Sequence, residues 1–206
     1  MSTVLGGGWQ RRAMDEQEIA AVVQRWAIHR DAGDWERFRE LWHPNGWMSA
    51  TWFDGPFEEF IRASQRAFAA GVRILHFLGG TAVEVGGGHA IAQTKMTITQ
   101  RGPVHGVEVD VVCTGRFYDF FARHEGEWRI AHRQPIYERD RMDPVDPAAT
   151  LSLDADRLAG FPEGYRHLAY LQEANGSTVR QGLPGLNDEA VRRLYREGRA
   201  WLLEAA

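Results

Sequence analysis

Thr81-Ala-Val-Glu-Val-Gly-Gly-Gly-His-Ala-Ile-Ala-Gln-Thr-Lys-Met-Thr-Ile-Thr-Gln100 sets two runs of β-prone residues on either side of a glycine triplet. That pattern predicts a hairpin, with strands over 81–85 and 89–100. Working downstream, Arg101-Gly-Pro103 is expected to break the second strand. A long aromatic-rich strand follows over 107–123, Glu125-Gly126 turns the chain, and another strand runs over 128–137. Upstream, Val72 to Leu78 reads as a short apolar strand ending at Gly79-Gly80.

The first seventy residues have a different texture. Asp15-Glu-Gln-Glu18 is a capping-box pattern and is expected to open a helix. Ile19, Val22, Val23, Trp26 and Ala27 follow at helical spacing, and Gly33 marks the exit. Asp34 caps a second helix over 35–42, which His43-Pro-Asn-Gly46 ends. A strand is expected over 47–53, and Asp54-Gly-Pro56 leads into a third helix ending at Gly71. Three helices followed by a hairpin-connected sheet is an α+β pattern.

Past Asp140 the composition shifts. Asp143-Pro-Val-Asp-Pro147 reads as a linker, and helices are expected over about 162–175 and 187–204. The second places Ala190, Val191, Leu194, Tyr195, Trp201 and Leu202 on one face. A tail this apolar docks on its own domain or on a neighbouring subunit.

Composition narrows the function. The chain has 206 residues, a net charge of −4, 44% hydrophobic residues and eight tryptophans. An acidic balance argues against a nucleic-acid binder. A single cysteine, Cys113, excludes an internal disulfide and a thiolate metal cluster. Met1-Ser-Thr-Val-Leu-Gly-Gly-Gly-Trp9 carries no apolar leader core, and no run approaches a membrane span, so the expected location is the cytoplasm. No phosphate-binding loop, dinucleotide fingerprint or nucleophile elbow is present, and no close histidine pair suggests zinc.

Two residues break local rules. Asp31 continues the apolar face of the first helix in steps of four from Val23 and Ala27. It also lies in the last turn, where the helix dipole disfavours negative charge. His76 lies in Ile74-Leu-His-Phe-Leu78, a strand apolar on both faces, so its imidazole is expected to be buried or to face a cavity. A buried histidine needs a hydrogen-bond partner and is also suited to general base catalysis. Alternation from Trp128 puts Ile130, His132 and Gln134 on one face, so His132 is expected to share that interior.

Trp26-Ala-Ile-His-Arg-Asp-Ala-Gly-Asp-Trp35, Leu75-His-Phe-Leu-Gly-Gly80 and Glu125-Gly-Glu-Trp128 resemble the nuclear transport factor 2-like superfamily. Within it they resemble the SnoaL-like group that includes scytalone dehydratase, bile-acid 7α-dehydratase and hexachlorocyclohexane dehydrochlorinase. The resemblance covers about residues 13–140, leaving 141–206 as a C-terminal helical extension. It implies a cone-shaped α+β barrel: three N-terminal helices wrapped by a curved, mostly antiparallel sheet, with a deep pocket inside. It also implies that Asp31 and His76 form a catalytic dyad in a cofactor-independent lyase, without metal or organic cofactor. The expected partner is a hydrophobic, aromatic or polycyclic small molecule. Relatives imply a homo-oligomer, a trimer before a dimer, with no nucleic acid or membrane partner.

The chain departs from scytalone dehydratase at several pocket positions. Arg30 and Ala50 stand where two tyrosines are expected, Gln100 where a second histidine is, and Gly115 and Phe117 where a serine and an asparagine are. Arg116 and Arg133 are candidates for the dehydrochlorinase's accessory arginine. The expected substrate-binding set is Arg30, Trp47, Trp52, Met96, Ile98, Gln100, Phe117 and His132. Two other readings share these residues: an isomerase or cyclase using the same dyad, and a non-catalytic ligand-binding or structural subunit.

Overall fold

The computed structural model describes residues 4–204. The first three residues of the segment read for a leader, and the last two of the extension, lie outside them. The order is α1 (Val4–Ala32), α2 (Trp35–Arg39), β1 (Trp42–Ser49), β2 (Asp54–Pro56), α3 (Phe57–Ala69), β3 (Ile74–Gly86), β4 (His89–Val104), β5 (Val107–His124) and β6 (Glu127–Pro144). Three further helices follow: α4 (Ala155–Ala159), α5 (Arg166–Ala174) and α6 (Glu189–Leu203). Six strands form one curved, unclosed sheet in the order β2-β1-β6-β5-β4-β3. Every pairing is antiparallel except β1 with β6. No helix among the described residues is long and apolar enough to cross a membrane.

Helix α1 starts before the capping-box residues. Asp15 sits inside it and is buried, and its carboxylate accepts hydrogen bonds from Arg123 and from the Trp128 indole. The acidic pattern that reads locally as a cap is used instead to fasten the helix to the β5–β6 turn. The helix buries Ile19, Val22, Val23, Trp26 and Ala27 against the sheet. It ends at Gly33, whose φ of +73° and contact with the Phe68 ring suit a residue without Cβ.

Three expected breaks are continuous strands. Val72–Leu78 and Thr81–Val85 belong to one strand, β3, with a register shift between Leu78 and Thr81 that accommodates Gly79-Gly80. β4 runs through Arg101-Gly-Pro103 to Val104. β3 begins pairing at Gln100, so beyond that point β4 has β5 on one side only, and an edge tolerates proline. β6 likewise continues to Pro144, well past its last pairing with β1 at Arg133. β1 starts earlier than expected, at Trp42, and absorbs His43 to Gly46 as an irregularity in its pairing with β6.

The extension divides between the two faces of the sheet. α5 lies on the concave side, with Leu168, Ala169, Tyr170 and Leu171 in the same core as α1 and α3. Asp140 holds its start, accepting from the backbone N–H groups of His167 and Leu168 and from the His167 ring. α6 covers the convex side, where Val191 and Leu194 join Ile91, Tyr118, Phe120 and Ile136 in a second core. Gly198 brings α6 against Tyr118: a Cβ there would overlap the Tyr118 hydroxyl. Gly198→Ala is therefore expected to loosen α6, costing about 1–3 kcal/mol. Hydrogen exchange would show lost protection confined to α6, whereas unchanged protection would mean that Tyr118 simply rotates away.

Candidate functional site

Asp31 leaves the last turn of α1 pointing at β3. Its Oδ2 accepts from the His76 backbone N–H at 2.6 Å, and its Oδ1 meets His76 Nδ1 at 2.7 Å. A carboxylate can only accept, so Nδ1 carries the proton and Nε2 holds the free lone pair. Nε2 has no hydrogen-bond partner among the described residues. The ring packs edge-on against Trp26, with centroids 5.2 Å apart, and beside Phe117. Burial pushes the imidazole below its ordinary pKa. Burial outweighs the pull of Asp31 toward the charged form, with a smaller contribution in the same direction from the Arg30 and Arg133 charges. The shift favours the neutral form of an imidazole whose orientation Asp31 fixes.

The imidazole borders a narrow, mostly apolar cavity between α1, α3, α5 and the concave face of the sheet. The space within it open to the centre of a water-sized sphere is about 40 Å³. Five of the expected binding residues, Arg30, Trp52, Ile98, Gln100 and Phe117, line it together with His76. Met96 does not. It is buried one pleat further along β4, where side chains fill the cone. Trp47 also lies outside: Met48 is the inward residue of that strand, and Trp47 is 42% exposed with its indole donating to Asp54.

His132 is the third correction. Phe120 pairs with His132 and Phe121 with Ile130, so Ala131 is an extra residue, a β-bulge. The bulge shifts the alternation by one. Trp128 and Ile130 face inward before it, Arg133 and Tyr137 after it, and His132 is left outside the cavity. There it stacks on Phe120 and meets Ser49 Oγ at 3.1 Å. The same shift draws Arg133 into the core. Wholly buried, it makes a two-pronged pair with Asp119 at 2.7 and 2.6 Å, between the Trp26 and Phe117 rings. Arg116 faces outward, bonded to Glu138, Gln93 and Tyr195.

The alternation could not reveal Tyr137, which lines the cavity because of that bulge, or Leu168 and Gln172, which come from α5. Gln172 closes a polar chain: Thr51 donates to its carbonyl at 2.6 Å, and its amide donates to Gln100 at 3.1 Å. Thr51 and Gln172 are 121 residues apart, and no local pattern links them. Among the described residues, no group of three His, Cys, Asp or Glu side chains is placed to hold a metal.

A model of the SnoaL-like domain matches residues 11–134, more than half of the chain. The protein belongs to the SnoaL-like domain family. This SnoaL-like protein is 34% identical to a PEP2-like protein of Fusarium vanettenii, over 98% of its own chain and 91% of the relative. It is 33% identical to pea pathogenicity protein 2 of the same organism with the same coverage. Among solved structures, a putative scytalone dehydratase from Novosphingobium aromaticivorans aligns with a TM-score of 0.54 at 12% identity, over 68% of this chain and 97% of that one. A hexachlorocyclohexane dehydrochlorinase aligns with a TM-score of 0.54 at 11% identity, over 70% and 97%. At such identities these two show the shared fold.

The displaced His132 yields a prediction about acid stability. Burial lowers its pKa from about 6.5 to about 4, against the opposing pull of Asp54. The unfolded chain therefore takes up that proton first. The stabilisation is complete above about pH 6.5 and is lost as pH falls toward about 4. Denaturant midpoints measured across that range should fall in the wild type and flatten in His132→Gln. An equal slope in both proteins would assign the acid loss to other groups.

Proposed function

We propose that the protein is a cofactor-independent lyase, a dehydratase or related eliminase, acting on a hydrophobic aromatic or polycyclic small molecule. One observation carries the reading: a carboxylate holds both the backbone and the ring of His76, on a histidine that borders an apolar cavity. His76 Nε2 removes a proton from a substrate carbon, and Asp31 stabilises the imidazolium that forms. The electron pair of the broken C–H bond becomes the new carbon–carbon π bond. The hydroxyl on the adjacent carbon leaves with its own bonding pair and takes the proton back from Nε2 as water. Arg30, Trp52, Ile98, Gln100 and Phe117 hold the substrate in this reading, and the aromatic walls exclude competing water.

General acid–base assistance contributes about 10²–10⁴-fold. His76→Ala and Asp31→Asn should each lower turnover by at least about 100-fold. Asp31→Asn should also lose about 1–3 kcal/mol of stability, because it weakens the tie between α1 and β3. Hydroxylated aromatic substrates incubated in D2O and followed by mass spectrometry test the chemistry. Loss of the mass of water supports elimination. Deuterium uptake at unchanged connectivity would mean an isomerase or cyclase on the same dyad, and binding without either would mean a non-catalytic cone. Since the His76 pKa is lowered, kcat/KM should be flat through neutrality and decline only below about pH 6.5. A decline beginning above neutrality would contradict a buried neutral base.

The same reading has the protein working as a homo-oligomer, a trimer before a dimer. Leu75 and Phe77, 55% and 77% exposed on the outer face of the edge strand β3, are the apolar surface such an assembly would cover. Sedimentation should show a species larger than the monomer, and Phe77→Glu should dissociate it.

A further inference from the structure

Arg30 is the one cavity-lining residue with a full charge that never titrates under ordinary conditions, and it is only 4% exposed. Among the described residues its guanidinium forms no ion pair and no hydrogen bond. Its Nε is enclosed without a partner. The carboxylate next to it in sequence does not answer it, because both oxygens of Asp31 are engaged by His76. The contrast with Arg133 is instructive. That guanidinium is buried more deeply, yet Asp119 meets it with two hydrogen bonds. Arg30 has only the Trp35 ring, 5.9 Å from its guanidinium carbon.

Burying an arginine without a counter-charge costs several kcal/mol. Burial lowers the pKa of Arg30 from its ordinary value, and Asp31 only partly offsets this. A second polar residue lining the cavity has the same polarity. Gln100 spends its carbonyl on Gln172, leaving its NH2 donors without a partner among the described residues. Two of the polar residues lining this mostly apolar cavity, Arg30 and Gln100, therefore present donors without partners among the described residues. Such a site is complete only when something brings in an acceptor, and a negative oxygen satisfies both the geometry and the charge.

We infer that Arg30, helped by Gln100, is a specificity-determining anchor for an oxyanion, carboxylate or phenolate, carried by an aromatic substrate. This rests on the cavity being the substrate site proposed above. It narrows the substrate from a hydrophobic molecule to an amphiphilic one, with its ring between Trp26, Trp52 and Phe117 and its anionic oxygen at Arg30. Anchored there, the molecule would present a carbon near the acidic group to His76. The positive charge would also favour negative charge developing on that oxygen as the proton leaves.

Calorimetric titration with defined probes tests this without knowledge of the natural substrate. 2-Naphthoate is compared with uncharged 2-naphthamide at pH 7, and 4-nitrophenolate with nitrobenzene at pH 8.5. The expected result is at least about tenfold tighter binding of an anion than of its uncharged counterpart. In Arg30→Met that preference should fall to about twofold or less, the anion losing much more affinity than the uncharged probe. Arg30→Lys should keep part of it, since lysine keeps the charge but not the planar fork. Removing an unpaired buried charge should leave the melting temperature of Arg30→Met at or above that of the wild type, which a purely structural role for Arg30 would not do.

Preference in the naphthoate arm alone identifies a carboxylate, in the nitrophenolate arm alone a phenolate, and in both a general oxyanion site. Failure of both anions to bind better than their counterparts, or a preference that survives Arg30→Met, overturns the inference. The outcome is separable from that of the lyase reading. His76→Ala should retain the anion preference while losing turnover, so one result can fail without the other.

Discussion

The Asp31 carboxylate closes the molecule. Its two oxygens bind one residue of β3, through the main chain and through the ring, and α1 is the helix that fills the cone. Without that tie the end of the long helix would meet the sheet edge only through apolar contacts, which fix distance but not register. The same two bonds orient an imidazole that borders the cavity, choose its tautomer and leave its other nitrogen without a partner among the described residues. A single side chain thus sets both the closure of the fold and the state of the candidate base. Any substitution there will be read in stability and in chemistry together.

The interior that receives this pair is shaped by one extra residue in β6. A strand without the bulge at Ala131 would send His132 and Gln134 inward and Arg133 out to solvent. With it, Arg133 enters a fully buried pair with Asp119, pressed between the Trp26 and Phe117 rings that also flank His76. Burial raises the Asp119 carboxyl above its ordinary pKa, and Arg133 only partly opposes this. A pair of this kind contributes little net stability, but removing one partner would leave a bare charge in the core. Its guanidinium packs on the two aromatic rings that flank the imidazole.

The region past the family-model match helps to line the cavity. That match ends at residue 134, whereas β6 runs on to Pro144 and α5 contributes Leu168 and Gln172 to the cavity. The fungal relatives align over 98% of the chain, extension included. The extension therefore differs from a loose appendage in two ways. One helix supplies part of the cavity wall, and another seals the apolar back of the sheet through Gly198 and Tyr118.

Much of this was legible in the amino-acid order, because it depends on short-range periodicity. Apolar spacing in α1, the glycine hairpin between β3 and β4, and the apolar face of α6 each appear within a window of a few turns. Asp31 and His76 stood out because each violated its local pattern. Where the reading failed, the deciding neighbour was distant in sequence. Asp15-Glu-Gln-Glu18 looks like a helix start, but Arg123 and Trp128 claim its carboxylates. Pro103 and Pro144 look like strand breakers until the sheet order leaves those stretches without a neighbour on one side. By itself, then, the sequence determined most of the elements and singled out the two side chains that the structure brings together. Tertiary structure alone decided which faces of β1 and β6 point inward, that Arg30 stays unpaired, and that α5 forms a cavity wall. A bulge, a missing counter-charge and a contact across 121 residues leave no periodic trace in the chain.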